Sequence, residues 1–73
     1  MSPEQCRAAR AWLDWSQQEL ADHASVSLST VRDFEKGRHA PIANNIAAMR
    51  RALEGAGLKL VFENEKATGI TVL

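Results

Sequence analysis

The chain has 73 residues, fewer than the roughly 100–150 of a typical domain, so we expect one compact unit. Cys6 is the only cysteine, which excludes an internal disulfide, and no apolar run approaches the roughly 18 residues of a membrane span. Nine basic and nine acidic residues give a net charge of zero, without the strongly basic balance common in nucleic-acid binders. With no secretory signal peptide, we expect a reduced, cytoplasmic protein.

The charges are unevenly distributed along the chain. Between residues 32 and 51, five basic residues face two acidic ones, a net charge of +3, while both flanking segments are net acidic. A local basic patch suits contact with a polyanion, but an ordinary solvated helix face would carry the same charges. Charge alone leaves both interpretations open.

The first helix is predicted from three starting signals. Ser2 can serve as a hydroxyl N-cap, Pro3 occupies the first helical position, and Gln5 can reach back to the cap. Apolar residues then recur at spacings of three and four. The sequence therefore predicts a helix over Pro3 to about Leu13.

A second capping box follows directly. Ser16 and Glu19 stand at the capping-box spacing, and Trp15 can pack on Leu20 as a hydrophobic staple. This pattern predicts a helix over Gln17 to about Ala24.

The third helix is predicted after a three-residue turn. Ser27 is the next cap, and the helix runs over Leu28 to about Lys36. Gly37 supplies a left-handed stop.

The last third of the chain changes from helical to β-prone patterning. Ile42, Ile46, Met49 and Leu53 mark a fourth helix that ends at residues 55–57. Leu58–Phe62 and Ile70–Leu73 are β-prone and are separated by polar residues 63–69, which predicts a two-stranded hairpin. Because an isolated hairpin is marginal in water, its strands should lie on the helices or pair with a second chain.

The segment from Gln17 to Glu35 has the pattern of a helix-turn-helix unit. Ala21 is small where two short helices would cross, and Val26 is apolar where the turn folds back. Such a pair packs at roughly 90–120° and leaves the outer side of the second helix free. An ordinary corner between two helices is the alternative interpretation.

Over roughly residues 7–54 the chain resembles the Cro/repressor (XRE-type) helix-turn-helix domain of phage repressors and small bacterial regulators. The segments that carry the resemblance are Ser16-Gln17-Gln18-Glu19-Leu20-Ala21, Val26-Ser27-Leu28-Ser29-Thr30-Val31, Phe34-Glu35-Lys36-Gly37-Arg38 and Pro41. The resemblance implies a mainly α fold, with a four-helix repressor-like DNA-binding domain over 1–57. Residues 58–73 would form a C-terminal hairpin extension.

The resemblance also implies which residues contact DNA. Base edges would be read by the exposed first turns of the third helix, at Leu28, Ser29, Arg32 and Asp33. Arg32 can grip guanine, Leu28 can meet a thymine methyl, and Asp33 can accept from cytosine N4 or simply hold Arg32. Phosphate contacts would come from Gln17, Ser27, Thr30, Lys36, Arg38 and Asn44.

Family members often pair an arginine on the first helix with the glutamate that ends the recognition helix. Arg10 and Glu35 stand at the matching positions, and we expect a structural ion pair between them. The chain departs from the family pattern in three ways. Ser25 replaces the usual turn glycine, Asp33 lies in the recognition helix, and strands replace a fifth helix.

Other kinds of site are not indicated. Cys6, His23 and His39 lack the paired spacing of a zinc site, and no catalytic or cofactor motif occurs, so we expect no enzyme, metal or cofactor. Cys6 is expected in the core and both histidines on the surface, with His39 near phosphate. Trp12 and Trp15 are expected in the core of the first helix junction, the alternative being an exposed aromatic patch for a partner.

These observations predict a sequence-specific transcriptional regulator, a repressor that binds a palindromic operator in double-stranded DNA as a homodimer. The strands of 58–73 are the expected dimer element. The alternative is a protein-interaction module, such as the antitoxin of a toxin–antitoxin pair.

Overall fold

A computed structural model describes residues 1–38 and 41–73. Four helices are followed by an antiparallel hairpin, in the order α1 (Pro3–Leu13), α2 (Gln17–Ala24), α3 (Leu28–Glu35), α4 (Ala43–Gly55), β1 (Leu58–Glu63) and β2 (Lys66–Val72). The predicted mainly α fold with a C-terminal hairpin is confirmed. The first two helices have the predicted bounds, and α3 ends one residue earlier than expected.

Serine hydroxyls begin the first three helices. The Oγ atoms of Ser2, Ser16 and Ser27 accept from backbone N–H groups three residues ahead, at 3.0, 3.0 and 3.1 Å. In α1 and α2 the reciprocal bond from the capping-box side chain is also present. These bonds satisfy N–H groups that have no partner inside the helix, so the helix starts are fixed by local chemistry.

The first three helices end in the same way. Asp14, Ser25 and Gly37 are left-handed, with φ of 57°, 57° and 69°. In each case the following residue donates its N–H to the carbonyl five residues earlier, at 2.9, 3.0 and 3.1 Å. This is the Schellman arrangement, which favours glycine at the left-handed residue. Asp14 and Ser25 occupy that position without being glycine.

Ser25→Gly should raise the free energy of unfolding by about 0.5 kcal/mol. A left-handed L-residue costs roughly 1 kcal/mol, and the larger entropy that glycine loses on folding offsets part of the gain. Denaturant unfolding measures the change. Ser25→Ala is the matched control, since alanine keeps the left-handed strain, and it should not stabilise the chain. A Ser25→Gly variant less stable than the parent would contradict the strain assigned to this turn.

The core draws on every helix and on the hairpin. Its fully buried residues are Cys6, Ala9, Leu20, Ala21, Val31, Met49, Leu53, Leu58 and Leu60. The buried position expected for Cys6 is therefore confirmed. Because β1 contributes two of these leucines, the hairpin completes the core of the helices.

The two tryptophans differ in their surroundings. Trp15 is half-buried, packs against the core that contains Leu20, and stacks on the exposed His23 ring with centroids 4.2 Å apart. Trp12 is 63% exposed, so its expected core position is wrong. The reason lies in the helical phase: α1 buries Gln5, Cys6 and Ala9, and Trp12 lies beyond the edge of that stripe.

The hairpin is longer than the sequence suggested. Its register runs from Leu58 opposite Val72 to Glu63 opposite Lys66, with a bulge at Val61/Phe62. β2 thus begins four residues before the predicted Ile70, and the loop is reduced to residues 64–65. Both loop residues have positive φ, 51° and 67°, as a type I′ hairpin turn requires.

Gln5 attaches the hairpin to α1. Its Nε2 donates to the carbonyl oxygens of Val61 and Gly69 at 2.8 and 2.9 Å, while its Oε1 accepts from the N–H of Ser2 at 3.1 Å. One buried amide therefore completes the capping box of α1 and binds carbonyls at the bulge. Of the two placements expected for the strands, the structure shows them lying on the helices.

Candidate nucleic-acid interface

The solvent side of α3 carries a stripe of polar side chains. Ser29, Arg32 and Lys36 are exposed and lie three and four residues apart, which places them along one side of the helix and its end. Leu28 and Asp33 are half-buried beside them. The four side chains proposed from sequence to contact bases therefore belong to one helix of eight residues.

Asp33 does not pair with Arg32. Across residues 1–38 and 41–73, the ion pairs are Arg10–Glu35 and Arg50–Glu54. The carboxylate of Asp33 therefore takes no part in fixing Arg32, which was one of its two possible roles. Its other possible role, as an acceptor for a base amino group, is compatible with this geometry.

Three hydroxyl groups meet at the N-terminus of α3. Ser27 Oγ lies 3.1 Å from Ser29 Oγ and 2.8 Å from Thr30 Oγ1, and it also accepts the cap bond from the N–H of Thr30. The positive end of the helix dipole and several hydroxyl donors thus face the same side. An oxyanion such as phosphate is the kind of ligand that these groups favour.

Gln17, at the first position of α2, is held by the end of α3. Its Nε2 donates to Oε1 of Glu35 at 3.0 Å. A primary amide has two N–H donors, so the second remains for an outside acceptor, as does the backbone N–H at the helix start. The side chain is thus held in position at the junction of the two helices.

Glu35 lies at the centre of a buried hydrogen-bond network. Arg10 donates to both carboxylate oxygens at 2.7 Å, so the ion pair expected from sequence is present and bidentate. The thiol of Cys6 donates to Oε2 at 3.1 Å. Arg10 also donates to the carbonyl of Trp15 at 2.9 Å, and Arg7 donates to the backbone carbonyl of Glu35. The network therefore connects α1, the first turn, α2 and the end of α3.

Charge in this network is fixed by its hydrogen bonds. Burial alone would raise the pKa of Glu35, but the bonds from Arg10, Gln17 and Cys6 outweigh it and hold that pKa below its usual value. Burial, and after it the neighbouring carboxylate, raises the pKa of the Cys6 thiol. Near neutral pH the carboxylate is charged and the thiol keeps its proton.

Burying Glu35 also changes the charge that the surface of α3 presents. With that carboxylate neutralised by Arg10, the exposed charges at α3 and its exit are Arg32, Lys36 and Arg38 against the half-buried Asp33, three basic and one acidic. Arg50 pairs with Glu54 and lies 5.0 Å from the centre of the Phe62 ring. The basic patch suggested by the sequence is therefore divided, and its α3 portion remains available to a polyanion.

The remaining phosphate candidates follow the recognition helix. Lys36 and Arg38 are exposed on either side of Gly37, and Asn44 is exposed in the first turn of α4. The N-cap of α4, Ile42, makes no side-chain cap bond, which leaves backbone donors at that helix start among the described residues. The prediction for His39 lies outside the described residues.

Two hydrogen bonds to Glu35 were not expected from the sequence. Arg7 was not singled out, yet it binds the carbonyl end of the recognition helix, and Gln17 was linked to phosphate but not to Glu35. The position of Arg7, three residues before Arg10 on one side of α1, was the available signal.

Within the described residues, no group of three or more His, Cys, Asp or Glu side chains is placed to hold a metal ion. None of the helices described is long and apolar enough to cross a membrane.

Comparison with known families agrees with the site geometry. The sequence model of a family described as helix-turn-helix matches residues 7–56, more than two-thirds of the chain. No curated protein matches the chain. The matched span contains α2, α3, α4 and every member of the network around Glu35 except Cys6. The chain therefore belongs to the helix-turn-helix family of Cro/XRE-type DNA-binding transcriptional regulators.

Proposed function

We propose that this protein is a cytoplasmic, sequence-specific repressor that binds a palindromic operator as a symmetric homodimer. The observation that carries the proposal is the stripe on α3, where Ser29, Arg32 and Lys36 are exposed side by side. No ion pair within the described residues occupies Arg32. A free guanidinium on the outer side of a rigidly held helix is the arrangement that reads base edges in a major groove.

Each half-site would be read by four side chains. Arg32 would donate two hydrogen bonds to guanine O6 and N7, Leu28 would contact a thymine methyl, and Asp33 would accept from cytosine N4. Ser29, in the first turn of α3, would add a hydroxyl contact to a base edge. Because a good bidentate pair is worth roughly 1–3 kcal/mol of discrimination, Arg32 would carry most of the sequence preference.

Phosphate contacts would fix the position of α3 in the groove. Gln17, Ser27 and Thr30 supply donors at the starts of α2 and α3, while Lys36, Arg38 and Asn44 would bind the backbone beyond the end of α3. Such contacts add affinity without sequence preference, and they make binding dependent on salt.

A dimer would place two recognition helices in successive major grooves about 34 Å apart. The strands of 58–73 would supply contacts between protomers, since Val72 and Leu73 at their end are 49% and 80% exposed. Repression would follow when the bound dimer excludes other proteins from the operator.

The test begins with selection of bound fragments from genomic DNA, followed by affinity measurements on the selected site and on unrelated DNA. Arg32→Ala should lower the preference for the selected site by roughly 5- to 100-fold, since it removes a base contact, with unrelated DNA bound almost as before. Arg51→Ala is the matched control, because it removes the same charge from an exposed position on α4.

Two outcomes would contradict the proposal. An Arg32→Ala variant with unchanged preference would remove Arg32 from the base contacts. The absence of binding to any genomic fragment at low salt would favour a protein-interaction module instead.

A further inference from the structure

One side of α1 carries an exposed aromatic side chain and adjoins a groove. Trp12 is 63% exposed, and Ala8, four residues earlier, lies on the same side of the helix. Ala8 also lines an open groove between α1 and β2, together with Glu4, Gln5, Ala67 and Gly69. An exposed indole and an open groove are therefore neighbours on one surface.

Gly69 lines this groove, although no contact within the chain requires glycine at this position. A Cβ atom added there would have no heavy atom within 4 Å, and its backbone is not left-handed. Glycine in a strand interior costs stability and often marks a place where another chain or a ligand approaches closely. The space at Gly69 is therefore open within one copy of the chain.

We propose that this surface, the α1–β2 face, is the interface between two copies of the chain, with Trp12 of each copy seated in the groove of the other. The inference rests on the homodimer of the proposed function and places its main contact at Trp12 instead of the exposed strand end. It commits to a second copy for a geometric reason. Because the protruding side chain and the recess share one side of the molecule, a single two-fold rotation can fill both grooves at once.

The chemistry of the two parts is complementary. An indole buries a large apolar surface but carries one N–H that needs an acceptor when it leaves water. Glu4, which lines the groove, carries a carboxylate that can accept this hydrogen bond. Ala8, Ala67 and Gly69 leave room for a bulky ring. Tryptophan is also among the residues that contribute most to interfaces when truncation is tested.

The experiment measures self-association of the full chain by sedimentation velocity over a range of concentrations. Trp12→Ala removes the protruding side chain, and Gly69→Thr fills the recess. Each should weaken dimerisation at least tenfold, while the parent dimerises. Gly69→Thr separates blocked association from misfolding. The monomer has space at that position and threonine favours strands, so its unfolding midpoint should equal or exceed that of the parent monomer.

Leu73→Ser is the matched control, since it removes an exposed apolar side chain outside the α1–β2 face and should weaken dimerisation far less than Trp12→Ala. If Leu73→Ser dissociates the dimer and Trp12→Ala does not, the α1–β2 face is excluded and the strand end is the interface. A parent chain that stays monomeric at all concentrations would also overturn the inference.

Binding of each variant to a single half-site duplex separates this inference from DNA recognition. Neither Trp12 nor Gly69 lies on α3, so half-site affinity should be unchanged. If dimerisation fails while half-site binding persists, the interface is wrong and the DNA-binding surface stands. The reverse result would refute DNA recognition and leave the α1–β2 face intact.

Discussion

Arg10→Ala should lower the free energy of unfolding by about 3–5 kcal/mol, the range for removing one partner of a buried ion pair. The side chain of Glu35 is 2% exposed, and without Arg10 it would keep two hydrogen bonds, from Gln17 and Cys6, but no counter-charge. In a domain of this size that loss corresponds to a decrease in melting temperature of roughly 4–8 °C for each kcal/mol. Denaturant and thermal unfolding both measure it.

Two comparisons isolate the ion pair as the cause. Arg32→Ala removes an exposed arginine and should change stability by no more than about 0.5 kcal/mol. Replacing Arg10 and Glu35 together by methionine should cost less than Arg10→Ala alone, because no buried charge is left unpaired.

The pH dependence supplies an independent check. Because folding lowers the pKa of Glu35, its contribution is fully present above the unfolded-state value of about 4.3 and is lost as pH falls through the folded-state pKa. The difference in stability between the parent and Arg10→Ala should therefore shrink on acidification. A difference that stays the same from neutral pH to about pH 3 would show that Arg10 stabilises the chain by some means other than pairing with Glu35.

Deleting residues 58–73 should abolish cooperative folding of the remaining helices. The deletion removes Leu58 and Leu60, which are 1% and 2% exposed, and it leaves the Gln5 amide without the two carbonyls that it binds. Loss of one buried leucine costs about 2–5 kcal/mol, and a small domain has only about 5–15 kcal/mol in total. Circular dichroism on heating would show a broad, non-cooperative change.

The matched control for this deletion is removal of Leu73 alone, which is 80% exposed and should change the unfolding midpoint little. Leu60→Ala should lie between the two, with a cooperative transition at lower temperature. A truncated chain that unfolds cooperatively with the parent's stability would show that residues 1–57 form a complete domain and that the hairpin serves association only.

The helix starts and stops could be predicted from sequence because their determinants are local. Ser2, Ser16 and Ser27 each bond to a backbone group three residues away. Such contacts depend on the spacing between residues, and this spacing can be read directly from the sequence. The pairing of Arg10 with Glu35 could be expected only through the family resemblance, since 25 positions separate the two residues.

The features that sequence did not reveal depend on contacts across the fold. β2 begins at Lys66 because Lys66 and Ala67 pair with β1, and a turn of two left-handed residues sets that register. Gln5 was recognised as a capping residue, but its bonds to Val61 and Gly69 join positions 56 and 64 residues apart. Trp12 is exposed because its helical phase, and not its large aromatic side chain, decides on which side of α1 it lies.

The similar turns that follow α1 and α2 restrict how the helix-turn-helix unit can change in sequence. Asp14-Trp15-Ser16 and Ser25-Val26-Ser27 share one conformation: a left-handed residue, an apolar residue packed against the core, and an extended serine cap. In both turns the N–H of the apolar residue binds the carbonyl five residues earlier, and an inserted residue would break this spacing between the end of one helix and the cap of the next. Under the proposed function, a new DNA preference would come from exchange of outward side chains on α3, with the length of both turns kept.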